Sequence, residues 1–187
     1  PNAMSALPPH LRHLPPPDEP ALARSRALCE QVLSEARRDG FVPFARFMEI
    51  ALYTPGLGYY AGGQAKLAPG GDFVTAPETT PLFARALAAP LADLVCAGCD
   101  SVIELGAGTG ALAIDILHEL ERRDRVPRHY RIIQVSAELA DRQRRRFQAQ
   151  APALLERVQW LHRLPRAIRG VVLANEVLDG MPVALVS

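Results

Sequence analysis

Several things are scarce in this chain, and each shortage excludes a class of protein. Three cysteines are too few for a disulfide framework. Cys96 and Cys99 form one C-x-x-C pair, but it closes a helical stretch and precedes a strand, the reverse of the thioredoxin-like order. Cys29, His118, His129 and His162 add no second pair with zinc spacing, so no metal site is expected. Reduced thiols in a cytoplasm are the simpler expectation. Charge of one sign is also lacking: 21 basic against 20 acidic side chains leave +1, which is no footprint for nucleic acid. No apolar run approaches the roughly 20 residues that span a bilayer. Arg142, Arg144, Arg145 and Arg146 do cluster, and read as the solvated face of a helix. Pro1 to Ala3, ahead of Met4, read as a tag remnant. Met4 to Pro17 is proline-rich and extended, without the apolar segment of a secretory signal, and Asp18 with Glu19 argues against a transit peptide. The Ala/Arg-rich composition points to a bacterial cytoplasm, with a mitochondrial matrix the alternative for a eukaryotic source.

What is present is enough for one core with a helical appendage. The rest of the chain is organised around Val102 to Gly110. Val102 to Leu105 reads as a buried strand, Gly106, Gly108 and Gly110 follow at alternate positions, and Ala111 to Ile114 opens a helix. Such a turn leaves backbone N–H groups at the helix start and lets a ligand approach where a Cβ would block it. Gly106, Gly108 and Ala111 satisfy a dinucleotide fingerprint. Glu104 with Gly106, Gly108 and Gly110 equally fits the E/D-x-G-x-G-x-G turn of class I S-adenosylmethionine methyltransferases. An acid at the strand end suits a cationic donor and repels a pyrophosphate.

Upstream, Asp18 caps a helix with Pro20 in its first turn and Leu28, Cys29, Val32, Leu33 and Ala36 on one stripe, stopped by Gly40. Pro43 begins a second helix with Phe44, Phe47, Met48, Ala51 and Leu52 on one face. Thr54 to Glu78 is irregular and glycine-rich, and is expected to order as a loop over the site. Thr79 or Thr80 with Pro81 starts a helix carrying Leu82, Phe83, Ala86, Leu87, Leu91, Leu94 and Val95, with a kink at Pro90. Beyond the glycine turn come a helix with Leu112, Ile116, Leu117 and Leu120, a strand from Tyr130 to Val135, a helix from Glu138 to Gln150, and strands at 158–161 and 170–174. This alternation predicts an α/β doubly wound parallel sheet. The domain reading is 1–17 flexible, 18–98 helices and covering loop, and 99–187 the first half of a Rossmann-like domain. The fourth strand of such a sheet lies beside the first, so a longer parent protein is expected.

Four stretches in order resemble one family. Phe47 to Tyr60 is similar to its F-M-x-x-A-L-Y-x-P-x-x-G-Y-Y signature, Gly71 to Glu78 to its G-D-F-x-T-A-P-E loop, Glu104 to Gly110 to its cofactor turn, and Ala174 to Val183 to its N-E-x-x-D-A-L-P-V stretch. This is the MidA-like methyltransferase family, whose mitochondrial members assist assembly of respiratory complex I by methylating an arginine of a subunit. The resemblance implies S-adenosylmethionine as cofactor and a class I methyltransferase fold with an N-terminal helical extension. It implies that Glu104, Gly106, Ala107, Gly108 and Gly110 hold the donor's amino-acid moiety. Gly71, Asp72, Phe73 and Thr75 would cover the donor, and Gln134 and Ser136 would lie by its ribose. Asn175, Glu176 and Asp179 would serve the acceptor, the two carboxylates gripping a guanidinium fork. A protein substrate, such as a respiratory-complex subunit, follows as the implied partner.

One position departs from the family. Where it has I-V-E-x-S, this chain has Ile132, Ile133, Gln134, Val135 and Ser136. An amide carbonyl still accepts a hydrogen bond but has lost the charge, so weaker donor binding is expected. Three readings stand beside protein arginine methylation: a methyltransferase of small molecules, a catalytically silent assembly factor, and, least favoured, a dinucleotide oxidoreductase.

Overall fold

The computed structural model describes residues 17–61 and 76–186. Among these, the residues of Pro1–Gly63 with Met181–Ser187 form one compact unit and those of Gln64–Gly180 another.

In the first unit, α1 (Glu19–Asp39) begins where the Asp18 carboxylate accepts from the Ala21 N–H at 2.7 Å and ends at Gly40 in the left-handed region. Both ends follow the sequence reading. Helix α2 (Phe44–Tyr53) buries only Ile50, and Phe44 and Phe47, expected on its inner face, stack on each other largely exposed. After α2 the chain folds back on itself. Gly58 N–H donates to the Thr54 carbonyl at 2.7 Å, Tyr59 N–H to Ala51 and Tyr60 N–H to Leu52. A Cβ at Gly58 would lie 2.6 Å from the Thr54 nitrogen, so the glycine of the G-Y-Y stretch is a packing requirement.

The second unit is built on four parallel strands, β1 (Ser101–Leu105), β2 (His129–Ile133), β3 (Val158–Leu161) and β4 (Val171–Ala174), in the order β3-β2-β1-β4. Helix α5 (Ala111–Arg122) follows the glycine turn and buries Leu112, Ile116, Leu117 and Leu120, the stripe its periodicity announces. Each such side chain contributes about 2 kcal/mol on burial. Helix α6 (Ala137–Gln150) buries Ala140, Gln143 and Phe147. Strand β2 stops at Ile133, two residues earlier than its apolar run suggests, which places Gln134 and Val135 beyond the sheet.

Two expectations about the chain before β1 change. Of the stretch expected to be irregular, residues 76–79 form a helical turn, α3 (Ala76–Thr79), and 62–75 lie outside the described residues. Helix α4 starts at Leu82, where the Thr80 hydroxyl accepts from the Leu82 N–H at 3.2 Å, and it continues through Pro90 to Cys96. Its buried face is the expected one only in part, with Phe83 and Leu87 packed against the core. Ala84, Ala88, Leu91 and Ala92 are buried while Leu82 is 64% exposed. Helices α4 and α5 pack on each other, and the alanines of α4 share the packed face with its larger apolar residues. Helix α4 thereby belongs to the core of the sheet unit, apart from the N-terminal helices with which the sequence grouped it.

Candidate functional site

The strand register gathers the predicted residues. Leu105 pairs with Ile133 on one side and with Ala174 on the other. Gly106, Gln134 and Asn175 therefore leave three adjacent strands at the same carboxyl edge, where α/β sheets bind ligands.

Gly106, Gly108 and Gly110 all have positive φ, at 64°, 53° and 83°. The turn is closed by the Gly110 N–H donating to the Ala107 carbonyl at 2.7 Å. Gly110 is also the N-cap of α5 and offers no capping side chain to the first N–H groups of the helix. A Cβ on Gly106 would meet Val177 Cγ2 at 2.8 Å. The segment after β4 thus rests on the turn, which brings Asn175, Glu176 and Asp179 into the same part of the molecule. Asn175 is half-buried, and both carboxylate residues are exposed. Glu176 holds φ at 50°, a strained value for a residue with a Cβ.

Glu104 points inward. It is 2% exposed, and its Oε2 accepts from the Tyr130 hydroxyl at 2.7 Å. Burial pushes its carboxyl up to about 7, against the opposing effect of the Tyr130 hydrogen bond. Burial, and then the nearby Glu104 charge, hold the Tyr130 phenol well above its ordinary value.

Gln134 makes a contact the sequence did not announce. Its Oε1, the acceptor assigned to the ribose, receives the Ser136 N–H at 3.1 Å. What remains free of that bond is the amide's donor end. Ser136 in turn caps α6, its Oγ accepting from the Leu139 N–H at 3.3 Å. Gly71, Asp72, Phe73 and Thr75 lie outside the described residues.

Sequence reasoning missed the residues that brace the turn. Arg146, assigned to a solvated face, donates to the Thr109 hydroxyl and lies 3.8 Å from the Glu78 carboxylate. The Thr109 hydroxyl donates to Glu78. Arg144 sits 4.9 Å over the Trp160 ring. Gln143, wholly buried, donates to the Gly108 carbonyl at 2.8 Å and accepts from the Trp160 indole N–H at 2.9 Å. One signal was available: Ala140, Gln143 and Phe147 share helical spacing, which puts a polar residue on the inward face of α6.

These residues fit a methyl donor with an amino-acid moiety. Gly106, Gly108 and Gly110 present no Cβ to it, and no side chain caps the helix start. Among the described residues no cluster of acidic, histidine and cysteine side chains could hold a metal ion, and no helix is long and apolar enough to cross a membrane.

Comparison with known proteins agrees with this geometry. Residues 83–187 match the family described as "Putative S-adenosyl-L-methionine-dependent methyltransferase". A Burkholderia thailandensis protein crystallised with S-adenosyl-homocysteine is 47% identical, with a TM-score of 0.80 over 90% of this chain and 45% of that one. The Drosophila melanogaster protein arginine methyltransferase NDUFAF7 homolog is 29% identical over 90% of this chain and 45% of its own length. The Danio rerio NDUFAF7 is 34% identical over 50% of this chain and 23% of its own. The chain spans less than half the length of these relatives. The chain belongs to the MidA-like family of methyltransferases, whose cofactor is S-adenosylmethionine.

Proposed function

We propose that the whole protein transfers a methyl group from S-adenosylmethionine to an arginine side chain of a protein. The observation that carries the reading is the segment after β4. It carries Glu176 and Asp179, two exposed carboxylates, close in sequence on either side of Val177, which packs against Gly106. Carboxylates at that place suit a guanidinium, which they bind as a planar fork while drawing its charge toward themselves. The names of the NDUFAF7 relatives support an arginine acceptor. A respiratory-complex subunit is the first protein substrate to test.

The experiment is transfer of a labelled methyl group to arginine-containing peptides by the full-length protein. Wild type labels arginine, and E176Q and D179N each lose at least tenfold in turnover with donor affinity intact. Labelling of a small-molecule extract in place of the peptides would assign the acceptor elsewhere.

A second reading, a silent binding module of the same fold, is favoured by Gln134, which lacks the charge of the glutamate the family has there. It predicts no labelling of any acceptor, with a partner protein retained on an affinity column.

A further inference from the structure

We propose that Gln143 is a positioning residue for the donor turn, setting the orientation of its central peptide from within the core. The inference rests on the reading that the glycine turn holds the methyl donor.

The side chain is 0% exposed in a helix otherwise rich in arginine. Its two partners leave no choice about its chemistry. The Trp160 indole N–H can only donate, and the Gly108 carbonyl can only accept. The group between them must offer an acceptor at one end and a donor at the other, at 2.9 Å and 2.8 Å. A primary amide does so. A carboxylate of the same length would set an oxygen against the Gly108 carbonyl, and a methionine would leave both partners unsatisfied.

The far end of this link is itself fixed. Trp160, at the penultimate position of β3, packs edge-on against Phe147 with ring centroids 5.8 Å apart, and Arg144 covers its face. The near end is the middle of the turn. Gly108 sits at φ 53°, a left-handed value that glycine adopts without a Cβ penalty, and it lies outside the strand ladder. In a trans peptide the carbonyl and the following N–H point in opposite directions. Holding the Gly108 carbonyl toward Gln143 therefore aims the Thr109 N–H away from α6. Gly110 fits the same surface, since a Cβ there would lie 3.4 Å from Gln143 Cγ. The amide thus couples the turn to β3, and donor binding at the turn is felt at Trp160.

The test is calorimetric titration of S-adenosylhomocysteine into the full-length wild type, Q143M and W160F. Donor-induced emission change is read in parallel, and the W160F signal is subtracted to isolate Trp160. The expected result is wild-type binding with a Trp160 response, and about tenfold weaker binding in Q143M with that response lost. W160F weakens binding severalfold, and it carries the test alone if Q143M does not fold. Wild-type affinity in Q143M, or in W160F where Q143M is unfolded, overturns the proposal even if the variant melts lower, since a purely structural role lowers stability without touching affinity. Absence of binding in the wild type removes the donor reading on which the inference stands.

Discussion

The Tyr130 hydroxyl donates to Glu104 Oε2 at 2.7 Å between adjacent strands, and both residues are buried. An acid whose carboxyl is pushed up to about 7 by burial binds its proton more tightly folded than unfolded. Stability from this group is fully present below its ordinary value of 4.5 and is lost as pH rises through about 7. The shift corresponds to on the order of 3 kcal/mol. In the ligand-free protein, E104Q should therefore flatten the dependence of melting temperature on pH between 5 and 8. Y130F removes the hydrogen bond that favours the charged form and should move the inflection upward. Melting curves across that range decide it, and an unchanged pH profile in E104Q would remove Glu104 as the source.

Gln134 is the second lever. Its carbonyl accepts from the Ser136 N–H, and a carboxylate could keep that bond with one oxygen and present the other to a ribose hydroxyl. Charge-assisted acceptors gain roughly 1 kcal/mol or more over neutral ones. Q134E should tighten S-adenosylhomocysteine about five- to tenfold by calorimetry. Equal affinity in the two proteins would mean that this residue serves only the start of α6.

Much of this was legible from particular residues. Asp18 and Gly40 bound α1 because capping is local chemistry. The glycine turn and α5 were equally legible, since positive φ and a stripe of large apolar residues leave direct marks in sequence. The buried face of α4 was legible only in part: Phe83, Leu87 and Leu91 pack on the core as expected, but the burial of alanines at 84, 88 and 92 depends on the shape of their neighbours. Among site residues, Gly106, Gly108 and Gly110 were readable from spacing, whereas Gln134, Asn175, Glu176 and Asp179 entered through the family resemblance. The bracing by Arg146, Gln143 and Trp160 joins positions that only the tertiary fold brings together, so no local pattern encodes it.

Arg146 illustrates what that bracing does. Its guanidinium meets the Thr109 hydroxyl and the Glu78 carboxylate with both charged side chains partly exposed, at 32% and 26%. An ion pair in that setting contributes about 1 kcal/mol or less to global stability. R146A should leave the melting temperature within about 2 °C while releasing α3 locally. The amide of Thr80, bonded to the Ala76 carbonyl at 3.3 Å, should then exchange with deuterium several times faster. The amides of Leu117 and Leu120, deep in α5, should not change. Uniform acceleration across both regions would indicate global destabilisation and not a local brace.

The contact between Gly106 and Val177 tests whether the acceptor segment and the donor turn are one structure. Alanine at 106 has two faults that can be separated. The φ of 64° costs roughly 1–2 kcal/mol for any residue with a Cβ, and the new methyl group meets Val177 Cγ2 at 2.8 Å. Removing that methyl with V177A cures the second fault and leaves the first. In the G106A background V177A should therefore recover stability, although alone it costs stability by deleting a packed side chain. A double-mutant cycle should give a favourable coupling of about 1 kcal/mol. Under the proposed function, the same cycle on methyl transfer should show V177A weakening turnover on its own, because Glu176 and Asp179 flank the side chain that packs on the turn. Additive effects on both readouts would mean that the segment after β4 moves independently of the donor turn.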